Sequence, residues 1–87
     1  MKRWTQIFKA LANTNRLHII KILAKSKPLN VSDMSEKLNI SLKATSKHLI
    51  LLSNLDVLES KGKNGHIWYF LNPDMQNDIK KAISLFI

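Results

Sequence analysis

The sequence predicts a mainly α-helical domain with one small β hairpin, in the order helix, helix, helix, helix, strand, strand, helix. Three observations predict it. Between residues 30 and 55, two residues suited to cap helices, Asn30 and Ser41, flank Asn39, a residue that readily takes the left-handed conformation ending a helix. Between residues 57 and 71 the apolar pattern changes from a helical period to alternation around Asn64-Gly65, the preferred pair for a type I′ hairpin turn. Helical apolar stripes occupy both ends of the chain, in residues 1–12 and 73–87.

Residues 3–12 place Trp4, Ile7, Phe8 and Leu11 on one stripe, with Arg3 and Lys9 on the other face. Asn13-Thr14-Asn15 breaks this helix and offers a cap for the next, which runs to about Ala24 with Leu17, Ile20 and Leu23 facing a core. Lys25 to Pro28 form a polar break, and Pro28 biases Lys27 towards extended backbone. Asn30 then caps Val31 to Leu38, with Asp33 in the capping-box position and Leu29 and Met34 in staple positions. Asn39 ends that helix, Ile40 follows as an apolar plug, and Ser41 caps the next. Two helices joined by a turn this short form a helix-turn-helix.

The second of these helices offers Lys43, Ser46 and Lys47 outward and turns Thr45 towards the core. That outward face suits the major groove of DNA. Its later residues, Leu49 to Leu52, are more apolar than one face can hold, which predicts cover on several sides. The hairpin is expected as Val57 to Lys61, a turn over Gly62 to Gly65, and His66 to Leu71. Asn72 is the expected cap of the last helix, with Pro73 at its first position, where the missing N–H costs nothing. Met75, Ile79, Ala82, Ile83 and Phe86 form its stripe.

Eighty-seven residues make a single domain, 1–87, with no linker or repeat, and a small core at this size favours self-association. The formal net charge is +8, and residues 1–32 hold seven Lys or Arg and no acid, a balance that suits a polyanion. A coding bias towards Lys, Asn and Ile gives the same composition without function. With no cysteine there is no disulfide framework and no thiolate metal site. The lack of a signal peptide or long apolar span points to the cytoplasm, away from any membrane. No nucleophile with a nearby base, paired carboxylates or phosphate-binding glycine loop is visible, so an enzyme is not expected.

Individual residues carry alternatives. Lys43 and Lys47, one turn apart, reach a groove edge or form a solvated face. His48 contacts a phosphate or is structural; His18 reads as a hydrogen-bonded structural histidine; His66 approaches phosphate or faces water. Arg16 and Thr14 hold a phosphate at a helix N-terminus, or Thr14 merely caps. Lys61, Lys63 and Asn64 offer a backbone or minor-groove contact on the hairpin. Trp4, Trp68, Tyr69 and Phe70 fit packing better than base stacking.

In their order and spacing, Phe8 to Ala12 with Arg16-Leu17, Val31 to Leu38, Ile40-Ser41, Ser46 to Leu49 and Gly65 to Leu71 resemble the ArsR family of winged-helix repressors. The resemblance covers nearly the whole chain. It implies a homodimer built from the first and last helices, through Trp4, Ile7, Phe8, Met75, Ile79, Ile83 and Phe86. It also implies Ser41 to His48 in the major groove and Lys61 to Gly65 as the wing. The chain departs from the family at Asp56, where a glycine is usual before the wing, and at Leu42 and Ile50, usually polar. Leu42 can touch a thymine methyl. The family's metal motifs are missing: Asn30 to Ser35 lacks Cys and residues 73–87 lack His, so no metal or other cofactor is expected.

The resulting expectation is a winged helix-turn-helix regulator, dimeric and repressive. It binds double-stranded DNA at an imperfect palindrome through Ser41, Leu42, Lys43, Ser46, Lys47, His48, Lys61, Lys63, Asn64 and Arg16. The alternatives are a winged-helix module for protein partners and a non-specific architectural binder of nucleic acid.

Overall fold

A computed structural model describes residues 1–87. Its elements are α1 (Lys2–Leu11), α2 (Thr14–Lys25), α3 (Val31–Leu38), α4 (Leu42–Asn54), β1 (Leu58–Lys63), β2 (His66–Leu71) and α5 (Asn77–Ser84). Local chemistry sets the helix ends. Asn13 Oδ1 accepts from Arg16 N–H, Asn30 Oδ1 from Asp33 N–H and Ser41 Oγ from Ala44 N–H, at 3.1, 2.8 and 3.1 Å. Each satisfies an N–H that the first helical turn leaves unpaired. Asn13 is thus the cap of α2, and Thr14 is its first residue.

Asn39 closes α3 in the left-handed region, at φ 55° and ψ 46°. Its N–H and that of Ile40 donate back to Glu36 O and Ser35 O, so the turn into α4 leaves few orphaned carbonyls. Asp56, where the resemblance noted in the sequence implies a glycine, also has positive φ, 60°.

The core is one cluster to which every helix contributes. Ile7 from α1, Ile19, Ile20 and Leu23 from α2, Met34 from α3, Leu49 and Leu52 from α4, and Ile79 and Ile83 from α5 meet Val57 and Leu58. Ile7, Ile79 and Ile83 were expected at a dimer interface, but they lie at most 1% exposed inside the protomer's own core. The expected cover over α4 is also incomplete. Leu49 and Leu52 are buried, whereas Ile50 and Leu51 remain 52% and 37% exposed.

The hairpin is longer than the sequence suggests and its turn tighter. Pairing runs from Leu58↔Leu71 to Lys63↔His66, which leaves only Asn64 and Gly65 in the turn, both at positive φ, 54° and 79°, as a type I′ turn requires. Gly62 and Lys63, expected in the turn, belong to β1. A further pairing is invisible in the sequence: Leu29 and Tyr69 exchange both backbone hydrogen bonds, at 3.1 and 2.8 Å. This bridge ties the segment before α3 to the outer edge of β2.

The last helix starts later than Asn72. There the asparagine makes an Asx turn, with Oδ1 accepting from Asp74 N–H at 2.9 Å and Nδ2 donating to Asp56 O at 3.0 Å. Asn-Pro-Asp serves either a cap or such a turn, and the bond to Asp56 selects the turn. Helix α5 begins after Gln76, and Asp78 in its first turn takes a two-pronged bond from Arg3, Nε to Oδ2 at 2.9 Å and Nη2 to Oδ1 at 3.1 Å. This pair ties α1 to α5 near the two ends of the chain.

Two outcomes follow for stability. Asn39→Ala should lower it by about 1 kcal/mol because a side chain is forced into the left-handed region, whereas Asn39→Gly should be near neutral. Urea unfolding of both variants measures this, and equal losses would show that the αL geometry is not what Asn39 supplies. The hydrogen bond from Arg3 holds the Asp78 carboxyl below its usual range. Its contribution is therefore present at neutral pH and lost as pH falls through the carboxylate range. Asp78→Asn should unfold more easily than the parent at pH 7, and the gap should close in acid.

Candidate nucleic-acid interface

The rotation of α4 about its own axis decides what the chain shows to solvent. Thr45, Leu49 and Leu52 are fully buried, and at about 100° per residue they share one side of the helix. Lys43 and Lys47 then fall on the opposite side, one turn apart, and both are exposed. Ser46 is half-buried beside them, and Leu42 stands 55% exposed in the first turn. No acidic residue occurs in α4. Thr45 is admitted to the core because its hydroxyl donates to Ser41 O at 2.8 Å, so no polar group is stranded.

Strand register sets the second part of the surface. Glu59, Lys61 and Lys63 pair with Phe70, Trp68 and His66, and directly paired residues share a face. Leu58 is buried on the opposite face, where Tyr69 and Leu71 also pack on the core. Lys61 and Lys63 are therefore turned outward beside Trp68, whose Nε1–H donates to Lys63 O at 3.2 Å. Lys27 and Pro28 border the same face: with Lys61, Lys63, Asn64, Trp68 and Phe70 they line a cleft of about 470 Å³. The Leu29–Tyr69 bridge brings Lys27 there. In the sequence Lys27 is only part of a polar break, and nothing local signals its place beside the wing.

Arg16 is more deeply committed than a phosphate ligand needs to be. Its Nε donates to Ala10 O at 2.7 Å and Nη2 to Lys9 O at 3.1 Å, which closes the C-terminal end of α1. Its Nη1 meets His48 Nδ1 at 3.1 Å. A guanidinium only donates, so His48 accepts through Nδ1 and carries its proton on Nε2. Burial first, and the Arg16 charge second, push the His48 imidazole below its ordinary value. Arg16 thus joins α1, α2 and α4, over a separation of 32 residues in the case of His48.

The other histidines are apart. His18 is exposed on α2 and makes no side-chain hydrogen bond, contrary to the hydrogen-bonded structural role expected of it. Its apolar neighbours Ile19 and Ile20 are buried, and the helix turns His18 away from them. His66 is exposed on the wing, its ring 5.9 Å from that of Trp68. No group of three or more His, Cys, Asp or Glu residues gathers anywhere in the chain. No helix is long and apolar enough to cross a membrane.

Of the residues expected at a dimer interface, Trp4 and Phe8 are exposed on α1, 38% and 60%, with rings stacked at 5.5 Å. Met75 and Phe86 are half-buried against the core. Leu85 and Ile87, 86% and 48% exposed, add apolar surface at the carboxyl end.

Comparison with known proteins agrees with this geometry. Residues 13–60 match the family described as bacterial regulatory protein, arsR family. The transcriptional repressor SdpR of Bacillus subtilis is 32% identical over 72 residues, which span 83% of this chain and 79% of SdpR. The crystal structure of the transcriptional repressor PagR of Bacillus anthracis superposes with a TM-score of 0.76 at 26% identity, covering 99% of this chain and 94% of PagR. The homodimeric winged helix-turn-helix DNA-binding domain Mb0332 of Mycobacterium bovis has the same fold, with a TM-score of 0.79 at 23% identity over 97% of this chain and 74% of that one.

The Arg16–His48 contact makes a pH-dependent prediction. An unfolded histidine binds its proton more readily than His48 does here, so stability should fall as pH drops below about 6.5. His48→Gln, which keeps an acceptor but cannot titrate, should remove that part of the loss. Thermal unfolding across pH 5 to 8 measures it, and parallel curves for parent and variant would refute the assignment.

Proposed function

Because the chain belongs to the ArsR family of bacterial regulatory proteins, which are transcriptional regulators and not enzymes, we propose that it acts as a dimeric repressor that reads double-stranded DNA with α4. One observation carries this reading: α4 anchors Thr45, Leu49 and Leu52 inward, and so presents Lys43 and Lys47 together on an exposed edge of a helix that contains no acid. Lys43 and Lys47 donate to guanine acceptors or phosphates, Ser46 hydrogen-bonds at a base edge, and Leu42 touches a thymine methyl. Ser41, already capping, brings the α4 N-terminus to the backbone. His48 offers Nε2–H to a phosphate, since Nδ1 is occupied by Arg16. Arg16, with two of its five N–H groups uncommitted, supports the same backbone.

The wing residues Lys61, Lys63 and Asn64, joined by Lys27, meet flanking phosphates or the minor groove. The dimer forms through the exposed Trp4 and Phe8 of α1 together with Phe86, Leu85 and Ile87. Only 14 of 87 residues are buried in the protomer, and these apolar groups are what a second copy would cover. A two-fold particle places its two groove helices about 34 Å apart, so the operator is an imperfect palindrome in the cytoplasm. Occupancy of such a site excludes polymerase and so represses; SdpR and PagR, to which the chain is similar, are transcriptional repressors.

Selection of genomic fragments by the purified protein should recover a palindrome, and fluorescence anisotropy on that site should follow its binding. Lys43→Ala or Lys47→Ala should cost roughly 1–3 kcal/mol if the lysine reads a base, with a sequence-dependent loss. Where it holds a phosphate, the loss should be uniform and the salt slope should shrink by about 0.9. Parent-like affinity and salt slope in both variants would overturn the groove assignment. Recovery of fragments without any common sequence would favour an architectural role.

A further inference from the structure

The groove reading leaves Ile50 and Leu51 without a role. Both are apolar and stand 52% and 37% exposed on α4. With Leu55 they form the apolar side of a cleft of about 480 Å³ between α1 and α4, a volume within the range of small-molecule sites, about 300–1,000 Å³. Three cations also line it, Lys9 from α1, Arg16 from α2 and Lys47 from α4, and no acidic residue does. Arg16 is held in place before any ligand arrives, because two α1 carbonyls and His48 fix its guanidinium. Two of its five N–H groups have no protein acceptor. A preformed donor loses little freedom on binding.

We propose that this cleft binds a single-chain amphipathic carboxylate, its head on Arg16, Lys9 and Lys47 and its tail along Ile50, Leu51 and Leu55. The charge pattern selects this occupant. A DNA phosphate would satisfy the cations but leave the isoleucine and leucines in water, whereas burying them against an alkyl chain is favourable. A second copy of a chain with net charge +8 would bring more positive charge to a rim that already has three cations. Lys47 also stands on the groove face, so a carboxylate that recruits it takes a cation from DNA. This coupling rests on the DNA-binding reading above; the site itself does not.

The test uses the full chain labelled for methyl and amide NMR, titrated with decanoate and, separately, with decyltrimethylammonium, which has the same tail and the opposite charge. Decanoate should shift Ile50, Leu51, Leu55 and the Arg16 side chain saturably, and the cation should not. Ile50→Ser and Lys9→Gln should keep the parent spectrum elsewhere and each weaken decanoate by on the order of tenfold, the loss of several methylene contacts or of one ionic hydrogen bond. Equal binding of both amphiphiles, or shifts centred on Trp4 and Phe8, would overturn the site. Dissociation of a dimer by Ile50→Ser would overturn it as well, by assigning the cleft to the interface between copies. On a selected operator, decanoate should release the parent but not Ile50→Ser; equal release of both would overturn the coupling. Failure of the parent to bind DNA before decanoate is added would count against the DNA-binding reading, while the DNA-free titration still decides the site.

Discussion

The structure depends on the burial of one side of α4. Thr45, Leu49 and Leu52 are sealed in the core, and each large apolar side chain so placed is worth about 1.5–3 kcal/mol. A rotation of α4 by one residue would turn this seam outward and bring Ser46, Ile50 and Ser53, or Ala44, His48 and Leu51, to the core in its place, losing at least one buried leucine and burying polar groups. The lysine edge is therefore held by the core beneath it and does not depend on contacts of its own. Ser41 and Asn39 act upstream of that constraint: they set where α4 starts and at what angle the chain enters it. Caps and an αL residue contribute about a kilocalorie per mole each, so they refine a placement that burial decides.

The polar contacts join what the core has packed. Arg3 and Asp78 are both partly exposed, and exposed ion pairs add little to stability; their two-pronged geometry orients α5 against α1. Arg16 has a stronger claim because it satisfies carbonyls at the end of α1, where the helix has no partners of its own. By also meeting His48 it makes the pose of α1 and the pose of α4 parts of one arrangement.

What the sequence made legible was local. The caps at Asn30 and Ser41, the αL residue Asn39 and the type I′ pair Asn64-Gly65 all depend on residues within a few positions of each other, and all are present. The element order followed from the two hydrophobic periods. Long-range partners were not legible. Nothing near Leu29 announces Tyr69, nothing near Arg16 announces His48, and Asn72 chose a turn over a cap because of Asp56. The stripes of α1 and α5 had the right period, but periodicity does not say whether a face is covered by its own chain or by another. The structure divides them, with Ile7, Ile79 and Ile83 inside and Trp4 and Phe8 outside.

The basic amino-terminal third shows the same limit in its electrostatics. Seven cations without an acid read as one positive patch in the sequence, yet the fold gives several of them separate duties. Arg3 is neutralised by Asp78, Arg16 is committed to α1 and His48, Lys9 lines the cleft beside Ile50, and Lys27 joins the wing. Net charge therefore overstates the cations left free to meet a polyanion. It also explains how so basic a surface can leave room for discrimination. In the DNA-binding reading proposed above, a few lysines placed by a buried seam read position, while a diffuse excess of charge would only raise affinity for any polyanion.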